Sequence, residues 1–192
     1  MIISIVGKSG SGKSTITKKL VELNPKIRYL DIDKIGHYVN DFPQIQEQLI
    51  ATFGNSIMEE DKVNRKILSS IVFNDKEAMK ALTDITWPAM EKIVDEYLNK
   101  NKDKIIILDW LLLPRTKYLE ESDLKILVTA PLKVRMERVI IRDNITKEKF
   151  LEREKASIKF NLNNFDIVVE NDGIIEREVR KIYEKNILSC KF

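Results

Sequence analysis

Cysteine is nearly absent: Cys190 is the only one in 192 residues, so no internal disulfide can form and a reducing cytoplasm is the expected compartment. Long apolar runs are missing as well. None approaches the roughly 20 residues of a membrane-spanning helix, and Met1 opens directly on the apolar stretch Ile2–Val6, which leaves no room for a secretory signal. The chain has no dense basic block: its 33 basic and 30 acidic residues are interspersed and leave a net charge of +3. That pattern gives no nucleic-acid footprint and suits a small anionic ligand. Six glycines and five prolines form no linker, low-complexity segment or internal repeat. The remainder, 43% hydrophobic and 33% charged, is ordinary for a globular chain with one well-buried core.

Three of the six glycines lie in one stretch, Gly7-Lys8-Ser9-Gly10-Ser11-Gly12-Lys13-Ser14-Thr15. Gly7 and Gly12, separated by four residues and followed by Lys13 and Ser14, form the P-loop pattern. Glycine reaches backbone angles that a Cβ would forbid, so consecutive N–H groups can turn inward around a phosphate. Lys13 can reach the β- and γ-phosphates, and the Ser14 hydroxyl can ligate Mg²⁺. The context fits: Met1–Val6 reads as a buried strand, and a helix follows from Thr15 with its N-terminal dipole toward the anion. Gly7, Ser9, Gly10, Ser11, Gly12, Lys13, Ser14 and Thr15 are the expected ATP-binding residues.

Farther along, Lys26–Leu30 reads as a second strand running into Asp31-Ile32-Asp33, whose two carboxylates at i and i+2 would share one side of that strand. Asp31 admits a second reading as a helix N-cap. From Lys34 to about Asn101 the pattern is helical, with runs around Ile45–Phe53, Ile67–Val72 and Asp75–Tyr97; Pro88 should kink or divide the last. This block exceeds what returning the chain to a sheet requires, and is expected to wall a second pocket. Lys104–Asp109 is the clearest central strand; Asp109 reads either as a Mg²⁺-water or substrate ligand or as a cap for the next segment. Leu124–Thr129 is a fourth strand. A helix from Pro131 to about Arg142 carries Arg135, Arg138 and Arg142, with Arg138 and Arg142 on one face. Such stripes are commonly solvated surface, but after a P-loop they also serve as phosphate clamps. Asp166–Val169 is the fifth strand, and Asn171-Asp172-Gly173 turns into the final helix.

Taken in order, these pieces resemble the dephospho-CoA kinase family. Asp31-Ile32-Asp33-Lys34-Ile35-Gly36-His37 is similar to its Asp-x-Asp-x-x-Ala-His segment. Phe53-Gly54, then Val63–Leu68 and Val72-Phe73, resemble its Phe-Gly, Asp-Arg-x-x-Leu and Val-Phe series. Arg138–Asp143 looks like its Arg-Leu-x-x-Arg-Asp lid segment, and Asp166–Asn171 like its closing Ala-Asp-x-x-Ile-x-Asn. The chain departs from the pattern at Trp87-Pro88, where His-Pro is usual, at Leu111–Pro114, where a glutamate is missing, and at Arg135, where a glutamine is common. The resemblance implies transfer of phosphate from ATP to the ribose 3′-hydroxyl of dephospho-CoA. It implies Asp33, Lys13 and Arg142 as catalytic residues, and Arg138 and Asn171 at the nucleotide. Asn171 also reads as a helix cap. Asp33, His37, Arg65 and Asp109 are implied at the acceptor, and Ser14 at the metal. A lone histidine one turn after Asp33 also reads as a structural residue.

The expected fold is an α/β P-loop NTPase: a doubly wound, five-stranded parallel sheet in a single domain, with a core of residues 1–33 and 104–192. A helical acceptor-binding insertion is expected over about 34–103, and a short lid over about 138–150. ATP and Mg²⁺ are the expected cofactors. The partner is a small anionic molecule, with neither nucleic acid nor membrane, and the chain is a monomer or weak homo-oligomer. Alternatives are a P-loop kinase of another nucleoside, nucleotide or small alcohol, and a nucleotide-dependent regulatory ATPase.

Overall fold

The computed structural model describes residues 1–73 and 75–188; Cys190 lies outside them. In chain order the elements are β1 (Ile2–Val6), α1 (Lys13–Leu23), β2 (Ile27–Asp31), α2 (Ile32–Val39), α3 (Pro43–Phe53), β3 (Met58–Glu59), β4 (Lys62–Val63), α4 (Arg65–Val72) and α5 (Lys76–Lys100). Then come β5 (Ile105–Asp109), α6 (Lys117–Glu120), β6 (Leu124–Thr129), α7 (Leu132–Asp143), α8 (Lys147–Ala156), β7 (Ile167–Glu170) and α9 (Glu176–Ile182), which runs on into a π-helical turn, Tyr183–Ile187. The chain divides into two compact units, one formed by residues 1–31 and 101–192, the other by residues 32–100.

The first unit holds a parallel five-stranded sheet in the order β2-β5-β1-β6-β7. β1 is central because it is apolar at nearly every position, and β5 is buried at all five. A strand covered on both faces reads as a continuous apolar run, whereas a half-exposed one alternates. On one face Ile3, Ile5, Ile105, Ile107, Ile126 and Val128 pack with Ile16 and Leu20 of α1 and Val179 and Ile182 of α9. Each such side chain contributes about 1.5–3 kcal/mol on burial. On the opposite face Ser4 shares a 2.6 Å hydrogen bond with Ser122, whose hydroxyl also donates to Tyr118 O at 2.7 Å. All five strands run the same way, so β1, β2, β5, β6 and β7 finish at one edge, where α/β sheets bind ligands.

In the second unit α3, α4 and α5 surround Ile45, Leu49, Ile57, Val63, Leu68 and Val72. Asn64 caps α4, its Oδ1 accepting from the amides of Lys66 and Ile67, while its Nδ2 donates to Glu59 of the β3–β4 hairpin. Of the kink or division expected at Pro88, the division does not occur: α5 runs 25 residues through it. Proline removes one backbone bond, but Thr86, Met90 and Val94 are buried on either side of it and hold the helix in register. α2 begins directly after β2, so Ile32 and Asp33 are helical and do not extend the strand. Ile32, Ile35 and Val39 form the buried face of α2, and putting Ile32 there requires helix from residue 32.

Candidate active site

The P-loop runs from the end of β1 to the start of α1. Gly10 (φ 79°) and Gly12 (φ 97°) both occupy the left-handed region. Space is as restrictive as the dihedrals. A Cβ on Gly7 would lie 2.3 Å from Val128 O, one on Gly10 would lie 2.6 Å from Arg135 O, and one on Gly12 would lie 2.0 Å from Asn171 Nδ2. The loop is thus pressed against β6, α7 and the segment after β7. Gly12 supplies no side-chain cap to α1, and no acidic residue occupies the first turn, so the helix N-terminus is left for an external anion. Lys13 folds over the loop, donating Nζ to Gly7 O at 2.8 Å. Ser14 is exposed in the first turn. A polyphosphate fits this cradle. Mg²⁺ fits it too, since that ion is commonly held by phosphate oxygens, water and one or two side chains.

α7 brings its arginines to the loop. Arg138 donates Nη1 to Gly10 O at 3.2 Å, and Arg142 donates Nη2 to Ser9 Oγ at 3.0 Å. Arg142 also pairs with Asp143, which takes a further bond from Arg153 of α8 at 3.1 Å. Asn171 is 4% exposed. Its Nδ2 donates to Ser11 O at 2.8 Å, and its Oδ1 accepts from Gly173 N at 3.1 Å. It therefore props the P-loop from beneath and shapes the turn toward α9.

Asp31 and Asp109 stand opposite each other at the ends of β2 and β5. Tyr29 shares the Asp31 face of β2 and donates its hydroxyl to Asp109 Oδ2 at 3.3 Å. Burial, followed by the Asp109 and Asp31 charges, pushes the Tyr29 phenol far above its ordinary range, so it stays protonated and donating. The 3-10 turn that follows, Leu113–Arg115, starts four residues beyond Asp109 and has no side-chain cap bond at Leu112. Asp33 does not share a strand face with Asp31. It lies in the first turn of α2, exposed, with His37 four residues on along the same exposed face. Arg65 is the exposed first residue of α4.

Sequence reasoning passed over Lys8, Arg135 and Glu154. Arg135 belongs to the α7 stripe, yet it is buried and pairs with Glu154 of α8, which also takes Lys8. Nothing local marks Glu154, because Lys147–Ala156 is charged along most of its length and reads as a solvated helix.

Comparison with known proteins accords with this geometry. The family model for dephospho-CoA kinase matches residues 1–177. A dephospho-CoA kinase of Fusobacterium nucleatum is 33% identical over 185 residues, covering 95% of each chain. One of Aquifex aeolicus is 34% identical over 192 residues, covering 95% of this chain and 96% of the relative. The crystal structure of TT1252 from Thermus thermophilus matches with a TM-score of 0.82 at 27% identity, covering 97% of both chains. A dephospho-CoA kinase from Campylobacter jejuni shares the fold at a TM-score of 0.61 and 24% identity, covering 95% of both. The chain belongs to the dephospho-CoA kinase family, and its reaction is the ATP-dependent phosphorylation of dephospho-CoA to coenzyme A.

Proposed function

We propose that the ribose 3′-hydroxyl of dephospho-CoA is the acceptor and that the residues described above divide the work as follows. The P-loop amides from Gly7 to Thr15 cradle the ATP phosphates at the N-terminus of α1. Lys13 neutralises the oxygens on which charge develops, and Arg142 and Arg138 extend that stabilisation from α7. Mg²⁺, when bound, neutralises phosphate charge; Ser14 would hold it, with Asp31 and Asp109 on the same sheet edge within the chemistry of its bound water.

Phosphoryl transfer asks little covalent work of a protein; it needs alignment and a group to take the hydroxyl proton. Asp33 is that group in this reading: an exposed carboxylate in the first turn of α2, two residues beyond β2. His37 on the same face and Arg65 at the head of α4 supply a hydrogen bond and a positive charge to the acceptor. Residues 32–100 thereby act as the acceptor-binding unit, and the α7–α8 turn as a lid. The lone cysteine of the sequence and its mixed charge suit a cytoplasmic enzyme acting on a small anion.

The observation that carries this reading is the anchoring of the α7 arginines to the P-loop itself, Arg138 on Gly10 and Arg142 on Ser9. The test is ADP release with dephospho-CoA against a panel of nucleosides, nucleotides and small alcohols, with and without Mg²⁺. The expected product carries its new phosphate at the 3′ position and forms only with the metal. Faster transfer to a nucleoside, or equal ATP hydrolysis with no acceptor, would overturn the assignment.

A further inference from the structure

Glu154 gathers three charge-assisted hydrogen bonds that tie the P-loop to α7 and α8. Arg135 donates Nη1 to its Oε2 at 2.8 Å and Nη2 to its Oε1 at 2.9 Å; Lys8 donates Nζ to the same Oε1 at 2.6 Å. A two-pronged guanidinium–carboxylate pair fixes direction as well as distance. The Arg135 side chain is 8% exposed and Glu154 is 20% exposed, so water screens the pair weakly. Arg135 is fixed at three points: Glu154 on its fork, Ala130 O on its Nε at 3.2 Å, and Gly10 against its backbone oxygen.

The loop is thus gripped at both ends of Lys8–Gly10. Lys8 is held through its side chain by Glu154, and Gly10 is held by α7, whose Arg138 also bonds its carbonyl. Packing holds the Gly10 end, where the loop lies against the Arg135 backbone and Val139, but not the Lys8 end. A cavity of about 320 Å³ lies beside the tie, lined by Lys8, Ser11, Thr129, Arg135 and Phe160 among others. The Ser11 hydroxyl is buried there without a hydrogen-bond partner. On the Lys8 side, where this cavity lies beside the loop, the ionic tie sets the spacing between loop and helix.

We propose that Glu154 is a positioning residue for phosphoryl transfer, acting through Lys8 and Arg135 to hold the P-loop and the α7 arginines in one register. The inference rests on the reading of the P-loop as the ATP phosphate site. Cutting the tie leaves every phosphate-facing group in place but lets the loop shift against α7. Such a shift damages the transition state more than the ground state.

The experiment compares Glu154→Gln, Glu154→Asp, Lys8→Met and the Glu154→Gln/Lys8→Met double variant. Glu154→Gln is expected to lower kcat roughly 10- to 100-fold while the KM for ATP moves less than about 3-fold. Glu154→Asp, which keeps the charge, should recover part of that loss. The double variant should be little worse than either single one, because both cut the same tie. Additive losses would overturn the proposal, as would a Glu154→Gln protein that melts earlier but turns over at the parent rate per folded molecule. Amide exchange supplies a readout that needs no substrate. In Glu154→Gln the amides of residues 8–12 should exchange faster while those of β1 and β6 hold; uniform acceleration, or none, would overturn it. Failure of the parent protein to phosphorylate dephospho-CoA would strike the assigned reaction and leave the exchange result standing.

Discussion

Asn171 donates its side-chain amide to the carbonyl of Ser11 across 160 residues of sequence, at 2.8 Å. The same Nδ2 lies where a Cβ on Gly12 would have to go, 2.0 Å from it. The end of β7 therefore holds the P-loop from beneath at two successive residues. Asn171→Ala should leave Ser11 O buried and unpaired, at a cost of about 1–3 kcal/mol. Chemical denaturation gives that figure, and the ATP KM should rise with it. An unchanged stability would mean that water replaces the amide.

Gly10 and Gly54 share a positive φ, 79° and 83°, but their surroundings differ. Gly54 ends α3 with nothing within 4 Å of a Cβ, so Gly54→Ala meets only backbone strain, about 1–3 kcal/mol. Gly10→Ala meets the backbone of Arg135 and the Val139 side chain as well, at 2.6 and 2.9 Å. Nucleotide titration should show ATP affinity intact in the first variant and lost in the second. Equal affinity in both would remove Gly10 from the phosphate cradle.

Arg142 is 61% exposed along its side chain, so its pairing with Asp143 contributes less than about 1 kcal/mol to folding. Arg142→Ala should therefore lower turnover by about 10- to 1,000-fold with little change in melting temperature. A collapse in stability with turnover per folded molecule preserved would place Arg142 in the scaffold instead.

Asp33→Asn keeps the shape of the side chain and removes its basic oxygen. ATP should bind nearly as before, while single-turnover transfer to dephospho-CoA falls by roughly 10²–10⁴-fold. Transfer at the parent rate would take Asp33 out of the mechanism. Loss of ATP binding would move it to the metal.

The Arg135 hydrogen bonds, with those of Lys8 behind them, hold the Glu154 carboxyl below its ordinary pKa. A group whose folded pKa is depressed stabilises the fold fully above its unfolded value, about 4.3 for glutamate, and loses that contribution as pH falls through the folded value. The gap in unfolding midpoint between the parent and Glu154→Gln should thus stay constant from about pH 6 to 8 and narrow below about pH 4. A gap that persists in acid would mean that the charge is not what Glu154 contributes.

The sequence by itself determined the site's phosphate chemistry and the fold's sheet. The glycine spacing with Lys13 and Ser14, the apolar runs that became β1, β5 and β6, and the caps at Asn64 and Thr146 are local signals, written in neighbouring residues. Where one local signal competed with a distant one, tertiary structure decided. Ile32 had to be buried, so α2 began at once and Asp33 left the face of Asp31. α5 ran through Pro88 because its buried neighbours outweighed one missing backbone bond. Asn171, legible as a cap or a nucleotide contact, proved to hold the loop. Arg135 and Glu154 looked like solvated charges on two helices. Arg135 is buried against the half-buried Glu154 because the chain brings α7 and α8 against the P-loop, and a buried charge is tolerated only with its partner.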